Sequence, residues 1–131
     1  MNGSHPEYGP NIIFQKHLGE GRFMIQRGVE TGAAVFYPRS VAPGSGEDLE
    51  WFEASGLGTV HSVTVIGKRP PEPAQNIVLV DLDEGPRMMS CVDGIDAADV
   101  RIGMRVKAQI KPGEDEEGLL LVVFLPWEEQ P

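Results

Sequence analysis

The segment Ser55–Lys68, with the sequence SGLGTVHSVTVIGK, restricts the fold of this chain more than any other stretch. Gly56 and Gly58 permit a sharp change of backbone direction at its start, because glycine has no side chain to clash with the main chain. β-branched residues then dominate as far as Ile66, and such residues favour an extended, half-buried strand. We interpret the segment as the first long strand of a small barrel.

More strand signals follow at a spacing that is typical of β-barrels. Ile95–Val100 interrupts them and is predicted to form a short helical turn capped by Asp96. The predicted strands are 55–68, 76–82, 87–91, 104–110 and 119–125. Five strands with a short helix between the third and the fourth match the element order of an OB-fold, so we predict a mainly β protein whose OB-fold domain spans residues 49–131.

Residues 1–48 predict a smaller N-terminal unit. Tyr8–Leu18 has near-helical spacing of its apolar residues, and glycines at 19 and 21 end the predicted helix. Two short strands, Arg22–Gln26 and Ala33–Tyr37, follow before a loop rich in proline and glycine. The core of such a unit would be thin, so we expect that something else must hold it to the barrel.

Composition limits the function of the chain. The 131 residues carry a net charge of −9, which disfavours phosphate backbones and anionic membrane surfaces as partners. The single cysteine, Cys91, excludes an internal disulfide and a cysteine-based zinc site. The first ten residues contain no apolar leader segment, and no apolar run approaches the roughly 18 residues of a membrane span. We therefore expect a cytoplasmic protein.

Two predicted strands are apolar on both faces, namely Ile77–Val80 and Leu119–Leu125. A small barrel hides only its inner face, so the outer face must be covered by the N-terminal unit or by a partner. Exposed aromatic residues often dominate protein interfaces, and Trp51 and Phe52 are candidates for that role. Packing of the N-terminal unit on the barrel would explain these two residues equally well. The candidate interface residues are Trp51, Phe52, Ile77, Leu79, Leu120 and Val122.

Five motifs in a fixed order resemble a known family. They are GRFMIQRG, FYPRSVAPGSGEDLEW, SGLGTVHSVTVI, IVLVDLDEGPRMMS and IGMRVKAQI, and together they extend over nearly the whole chain. The order resembles the acyl-CoA-associated OB-fold family known as domain of unknown function 35, or DUF35. The resemblance implies an N-terminal helix, a rubredoxin-like zinc ribbon and a C-terminal OB-fold.

The zinc ribbon implied by the resemblance lacks its ligands here. The family's four cysteine positions fall on Gly28, Thr31, Ala42 and Ser45, and none of these residues offers a thiolate, imidazole or carboxylate. His17 and Glu30 are close in sequence but are too few and wrongly spaced for a tetrahedral site. We expect a degenerate ribbon that keeps its two-hairpin path without metal.

The resemblance also implies a function that depends on partners. Members similar to this chain accompany thiolase-like enzymes, lipid-transfer-protein-like aldolases or hot-dog hydratases as non-catalytic subunits that support acyl-CoA binding. We expect no cofactor on the isolated chain. Arg39, Lys68 and Arg69 are candidate contacts to the phosphates of coenzyme A held mainly by the partner, with local salt bridges as the alternative.

The candidate catalytic residues all have structural explanations. Cys91 ends a strand in an apolar context, where a buried inert thiol is expected, and His61 is expected to be a hydrogen-bonded structural residue. Asp81, Asp83 and Glu84 flank a tight turn rather than forming a complete cation site. The accessory-subunit function that the resemblance implies agrees with this lack of catalytic groups and is the predicted function. An OB-fold module for single-stranded nucleic acid or oligosaccharide is the alternative, which the acidic charge disfavours.

Overall fold

One helix, two sheets and a single 3₁₀ turn make up the computed structural model, which describes residues 9–113 and 118–127. Tyr8, the first residue of the predicted helix, lies outside these ranges. The elements are α1 (Pro10–Gly19), β1 (Met24–Gly28), β2 (Ala34–Val35), β3 (Leu49–Glu53), β4 (Leu57–Ile66), β5 (Gln75–Leu82), β6 (Arg87–Ser90), the 3₁₀ turn (Ala97–Asp99), β7 (Arg105–Pro112) and β8 (Leu120–Pro126).

The N-terminal helix α1 lies close to its predicted position. Pro10 occupies its first turn, where the missing N–H costs nothing, and Leu18 is buried on its inner side. The chain leaves the helix through Gly21, whose φ of +80° belongs to the left-handed region that glycine adopts easily.

The smaller sheet has the strand order β2-β1-β3, with both pairs antiparallel. The strand Leu49–Glu53 pairs with Met24–Gly28, although the sequence analysis placed residues from 49 onward in the barrel. Its length and alternation mark it as a strand, but its pairing partner is set by tertiary packing. The division into residues 1–48 and 49–131 stays a prediction.

The larger sheet has the order β6-β5-β4-β7-β8 and closes into the predicted OB-fold barrel. Val92, just after β6, forms a parallel bridge with Phe124 on β8. On the other side the Val60 N–H donates to the carbonyl of Met104 at 2.9 Å. The 3₁₀ turn lies between the third and fourth barrel strands, as expected, so the mainly β OB-fold assignment is confirmed.

The capping prediction for Asp96 is wrong in one detail. Asp96 does occupy the N-cap position of the 3₁₀ turn, but its side chain makes no capping hydrogen bond. Its backbone carbonyl instead accepts a hydrogen bond from the Asp99 N–H at 2.8 Å. A single 3₁₀ turn closes through this backbone bond and does not need the side chain.

A continuous core joins the two sheets. Val78, Val80, Val106 and Phe124 have no exposed surface at all, and they contact the same buried cluster as Phe23 and Ile25 of the smaller sheet. Phe14 of the helix stacks edge-on against Phe23 and Phe36, with ring centroids 6.4 and 5.9 Å apart. Residues of the helix and of both sheets therefore contribute to one core.

Three side-chain amides act as substitutes for a neighbouring strand. Each one donates to the carbonyl and accepts from the N–H of a single distant residue, at 2.8–3.0 Å. The pairs are Gln15 with Leu120, Gln26 with Arg39, and Asn76 with Val92. These contacts fix the helix on β8, the loop after β2 on β1, and the segment after β6 on β5.

Candidate functional site

His61 and Asp81 lie close together on the outside of the barrel, beside Arg87. His61 Nδ1 lies 3.3 Å from Asp81 Oδ2, and both side chains are substantially exposed. Arg87 Nε donates to the other oxygen of Asp81 at 2.6 Å, and this hydrogen bond holds the pKa of Asp81 below its ordinary value. Asp81 therefore forms an exposed ion pair with Arg87 beside His61, and the structural interpretation of His61 stays a prediction.

Cys91 lies in a cleft of about 290 Å³ beside Asn76, Asp93 and Lys111. Its Sγ is 3.7 Å from Asp93 Oδ1. Burial raises the pKa of the Cys91 thiol, and the charge of Asp93 raises it further. A nucleophilic cysteine requires a lowered pKa, so the surroundings of Cys91 are those of an inert thiol.

The residues at the four ribbon positions do not fit a zinc ion. Gly28, Thr31, Ala42 and Ser45 provide no metal donor, and a carboxylate, that of Glu47, hydrogen-bonds both Thr31 and Ser45. Within 9–113 and 118–127, no three His, Cys, Asp or Glu side chains group closely enough to hold a metal. Over the same ranges, no helix is sufficiently long and apolar to cross a membrane.

The outer surface of the barrel beside the smaller sheet exposes a group of large apolar side chains. We call this surface the apolar face, and its members are Tyr37, Ile66, Ile77, Leu79 and Met89. Met89 is 59% exposed, Tyr37 51%, and Ile66 and Ile77 38% each. Strand register explains the grouping, because Leu79 pairs directly with Met89 and side chains two residues apart share a face.

Tyr37 links this face to the N-terminal unit. Its hydroxyl accepts a hydrogen bond from the Met89 N–H at 3.2 Å, which occupies a free donor on the edge strand β6. The φ of Tyr37 is +69°, a left-handed conformation that is rare for an aromatic residue. Backbone strain of this kind persists where surrounding contacts impose it, often at functional surfaces.

A groove of about 420 Å³ lies on the other side of Tyr37. It runs between the helix, the end of β2 and the start of β8, and its walls are largely apolar. The lining residues are Asn11, Phe14, Gln15, Phe36, Tyr37, Pro38 and Leu119. The apolar face and the groove therefore share Tyr37 and form one extended surface.

The predicted interface residues divide between this surface and the interior. Ile77 and Leu79 belong to the apolar face. Val122, in contrast, packs against the core, and the exposed leucines of that segment are Leu119 and Leu121. Leu120 is half-buried, with its backbone held by Gln15.

The two aromatic residues of β3 hold the smaller sheet together. Trp51 is half-buried, with its ring 5.7 Å from that of His17 on the helix. Phe52 packs against the core and lies under the guanidinium of Arg27, 4.7 Å from the ring centroid. These contacts support the packing alternative for both residues, and their assignment to a partner interface stays a prediction.

Arg39, Lys68 and Arg69 are all exposed, and within the described ranges none of them forms an ion pair. Arg39 follows β2, whereas Lys68 and Arg69 begin the loop after β4. The buried amide of Gln26 fixes the backbone of Arg39, since it accepts the Arg39 N–H and donates to the Arg39 carbonyl, both at 2.8 Å. In a chain of net charge −9, unpaired cations on defined loops are suited to contact phosphate.

Comparison with known proteins identifies the family. Residues 51–111 match the model described as "ChsH2, C-terminal OB-fold domain". A chain of the Ltp2-ChsH2(DUF35) aldolase superposes with a TM-score of 0.74 and 30% sequence identity, over 89% of this chain and 94% of that one. The chain belongs to the DUF35 family. The family resemblance drawn from the five motifs of this DUF35 chain is thus confirmed.

Other relatives of this DUF35 chain come from bacteria and archaea. A DUF35 domain-containing scaffold protein of Pyrococcus furiosus is 28% identical over 116 residues, 82% of this chain and 85% of that protein. A probable enoyl-CoA hydratase alpha subunit of Thermomonospora curvata is 33% identical over 88% of this chain, which spans only 37% of that protein. A DUF35 protein of unknown function from Sulfolobus solfataricus, 17% identical with a TM-score of 0.64 over 92% of this chain and 88% of that one, shares the fold.

Sequence reasoning did not find three residues of the DUF35 chain that the geometry makes important. Tyr37 and Met89 join the apolar face to the groove, and Glu47 joins two turns of the N-terminal unit. The pairing of Leu79 with Met89 across two predicted strands would have indicated Met89, since both follow the same alternation. No local signal indicates the left-handed backbone of Tyr37.

Proposed function

We propose that this chain is a non-catalytic accessory subunit of an acyl-CoA enzyme. The partner is a thiolase-fold enzyme, a lipid-transfer-protein-like aldolase or a hot-dog hydratase. The names of two relatives support an enzyme partner of this kind, since one is an Ltp2-ChsH2(DUF35) aldolase and the other a probable enoyl-CoA hydratase alpha subunit. The complex would act in cytoplasmic lipid metabolism.

The observation that carries the proposal is the apolar face. Four of its five side chains are 38–59% exposed, and they adjoin an apolar groove of about 420 Å³. Apolar surface of this extent is costly to leave in water and is typical of a protein interface. The proposed partner covers the apolar face and anchors on Tyr37 and Met89.

Arg39, Lys68 and Arg69 have a secondary role in the proposal. Each would neutralise part of the phosphate charge of a coenzyme A molecule that the partner binds mainly by itself. Their exposure and their lack of ion pairs within the described ranges support this role. The isolated chain would bind coenzyme A weakly, because three surface cations offer no enclosed pocket.

Co-expression with the candidate acyl-CoA enzyme of the same genome tests the proposal. We expect a heteromer that survives gel filtration and whose activity requires both chains. Met89→Asp should abolish co-elution, because it places a charge at the centre of the apolar face. Ile102→Asp is the matched control, since Ile102 is a 70% exposed aliphatic residue outside that face, and it should leave the complex intact.

The proposal fails if the partner is fully active alone and never co-elutes with this chain. It also fails if Met89→Asp and Ile102→Asp weaken the complex equally, because the apolar face would then have no special role. Tight binding of an oligonucleotide that weakens steeply with salt would favour the nucleic-acid alternative instead.

A further inference from the structure

Two turns in the N-terminal unit have the same backbone structure. We call 28–32 the first turn and 42–46 the second turn. In each, the N–H of the fifth residue donates to the carbonyl of the first at 2.9 Å, from Gly32 to Gly28 and from Gly46 to Ala42. Both turns end on a glycine in the left-handed region, with φ of +74° and +73°.

The match extends one residue further. The N–H of Gly28 donates to the carbonyl of Ala33 at 3.0 Å, and that of Ala42 donates to the carbonyl of Glu47 at 2.9 Å. Each turn is therefore closed by the same pair of backbone bonds. Repetition of one turn on two sides of a site is the arrangement that a tetrahedral metal with two pairs of ligands would require.

The carboxylate of Glu47 lies where these two turns meet. From the first turn, Oε1 accepts the N–H groups of Glu30 at 2.8 Å and Thr31 at 3.1 Å, and Oε2 accepts the Thr31 hydroxyl at 2.7 Å. From the second turn, Oε2 accepts the Ser45 hydroxyl at 3.2 Å. One side chain thus joins both turns through four hydrogen bonds, and bonds to an ionised acceptor are stronger than neutral ones.

Gly28 provides the space that this carboxylate needs. A Cβ at Gly28 would overlap the carboxyl carbon of Glu47 and would lie only 2.6 Å from its Oε2. The φ of Gly28 is not in the left-handed region, so backbone conformation does not require glycine at this position. The requirement is steric, and it comes from Glu47.

We propose that the Glu47 carboxylate replaces the zinc ion of the ribbon as the cross-link between the first and second turns. The positions that the DUF35 resemblance assigns to ligands have changed accordingly. Thr31 and Ser45 donate to the carboxylate, and Gly28 leaves room for it. The polarity of the site is reversed, because N–H and O–H donors surround an anion where thiolates would surround a cation.

This cross-link depends on pH in a defined direction. The hydrogen bond from the Thr31 side chain, followed by those from the Thr31 and Glu30 amides, lowers the pKa of Glu47 from its ordinary value. A group whose folded pKa is lowered contributes stability above its unfolded pKa, and that contribution is lost as pH falls through the folded pKa. The other titratable side chains lining this cleft are Glu30 and Asp48, which are also acidic.

The first test is a double-mutant cycle on the full chain, read by amide hydrogen exchange at Glu30 and Thr31. Glu47→Ala removes the acceptor, and Gly28→Ala forces the carboxylate out of its position. Each should speed exchange at these amides about tenfold or more, and the double variant should exchange no faster than either single one. Asp48→Asn, a neighbouring exposed carboxylate, is the control and should change nothing.

Additive effects in the cycle, or unchanged exchange in Glu47→Ala, would overturn the proposal. Glu47→Gln adds a check on charge, since the loss of protection between neutral pH and acid should disappear in that variant. Persistence of the same acid response in Glu47→Gln would assign it to another group and contradict the pH argument.

The second test restores the metal. A variant with Gly28→Cys, Thr31→Cys, Ala42→Cys, Ser45→Cys and Glu47→Ala should bind one zinc per chain, measured by elemental analysis. Stoichiometric zinc in the natural chain, or no zinc in this variant, would refute the replacement. These outcomes do not depend on the proposed partner function.

Discussion

The amide of Asn76 allows a sharp prediction about how the barrel is held closed. Asn76 is 8% exposed, and its side chain accepts the Val92 N–H at 2.8 Å and donates to the Val92 carbonyl at 2.9 Å. Val92 itself is 2% exposed. Its neighbours Cys91 and Asp93 make the backbone bonds to Phe124 on β8, so the backbone groups of Val92 depend on Asn76.

Asn76→Leu keeps the number and branching of the side-chain heavy atoms and leaves both backbone groups of Val92 buried without partners. A buried unpaired group costs about 1–3 kcal/mol, so with two such groups the free energy of unfolding should fall by about 2–6 kcal/mol. That is a large share of the roughly 5–15 kcal/mol by which domains are stable. At about 4 °C per kcal/mol for a chain of this size, Tm should fall by roughly 8–24 °C.

Urea denaturation measures this loss, and the slope m should stay constant because the same surface is exposed on unfolding. Gln75→Leu, at the exposed neighbouring position, is the control and should change the free energy of unfolding by less than about 0.5 kcal/mol. An Asn76→Leu protein as stable as the natural one would refute the reasoning, since Val92 would then not depend on the amide.

Asn76→Asp separates hydrogen bonding from shape. The ionised carboxylate accepts from the Val92 N–H but faces the Val92 carbonyl without a proton to donate, and burial raises its pKa in the folded state. A raised folded pKa gives stability that is present at low pH and lost as pH rises through that pKa. The variant should therefore approach the stability of the natural chain in mild acid and lose it at neutral pH.

Three further predictions concern other parts of the molecule. The two hydrogen bonds from Arg105 to Asp83, at 2.7 and 2.8 Å, lower the pKa of Asp83. This pair should therefore stabilise the fold above the pKa that Asp83 has in the unfolded chain and lose that effect as pH falls through its folded pKa. Asp83→Asn should show a smaller decrease of Tm on acidification than the natural chain. Cys91 should react slowly with iodoacetamide at neutral pH, because its thiol pKa is raised. Cys91→Ser should cost about 1–3 kcal/mol of stability and leave the activity of the complex unchanged. Loss of turnover by orders of magnitude in Cys91→Ser would contradict the assignment of Cys91 as an inert thiol. Replacing Arg39, Lys68 and Arg69 by glutamine should raise the KM of the complex for its acyl-CoA substrate with little change in kcat. Arg101→Gln, at an exposed position, is the control and should leave KM unaltered. Equal effects of the two changes would contradict a contact between the three cations and the coenzyme A phosphates.

The barrel could be predicted from sequence because its signals are local. Val63–Ile66 and Met104–Ile110 show β-branching or alternation within a few residues, and the strands observed there follow those patterns. The pairing of strand Leu49–Glu53 with Met24–Gly28 could not be predicted in the same way. Strand character is a property of a segment, whereas the choice of partner depends on what the whole chain buries.

The surface contacts were harder still to predict, because they join residues that are far apart in sequence. Gln15 holds Leu120 across 105 positions, and the Tyr37 hydroxyl reaches Met89 across 52. The resemblance to the DUF35 family implied four ligand positions without metal donors, but it gave no reason to examine Glu47. A missing cysteine is visible in an alignment, whereas the group that takes its place is visible only in three dimensions.

Strand β8 lies at an edge of the larger sheet, and its backbone groups on that side bond to side chains and to a loop. Its outward-facing backbone groups are occupied at every second residue, by Gln15 at Leu120, by the Ser90 hydroxyl at Val122, and by residues 91–93 at Phe124. Deleting the N-terminal helix would remove the first of these and leave the start of an apolar strand open to pair with another molecule. A barrel fragment that begins near residue 49 should therefore self-associate through β-strand pairing. In the whole chain, Gln15 of the helix occupies the backbone groups of Leu120 and so opposes this aggregation.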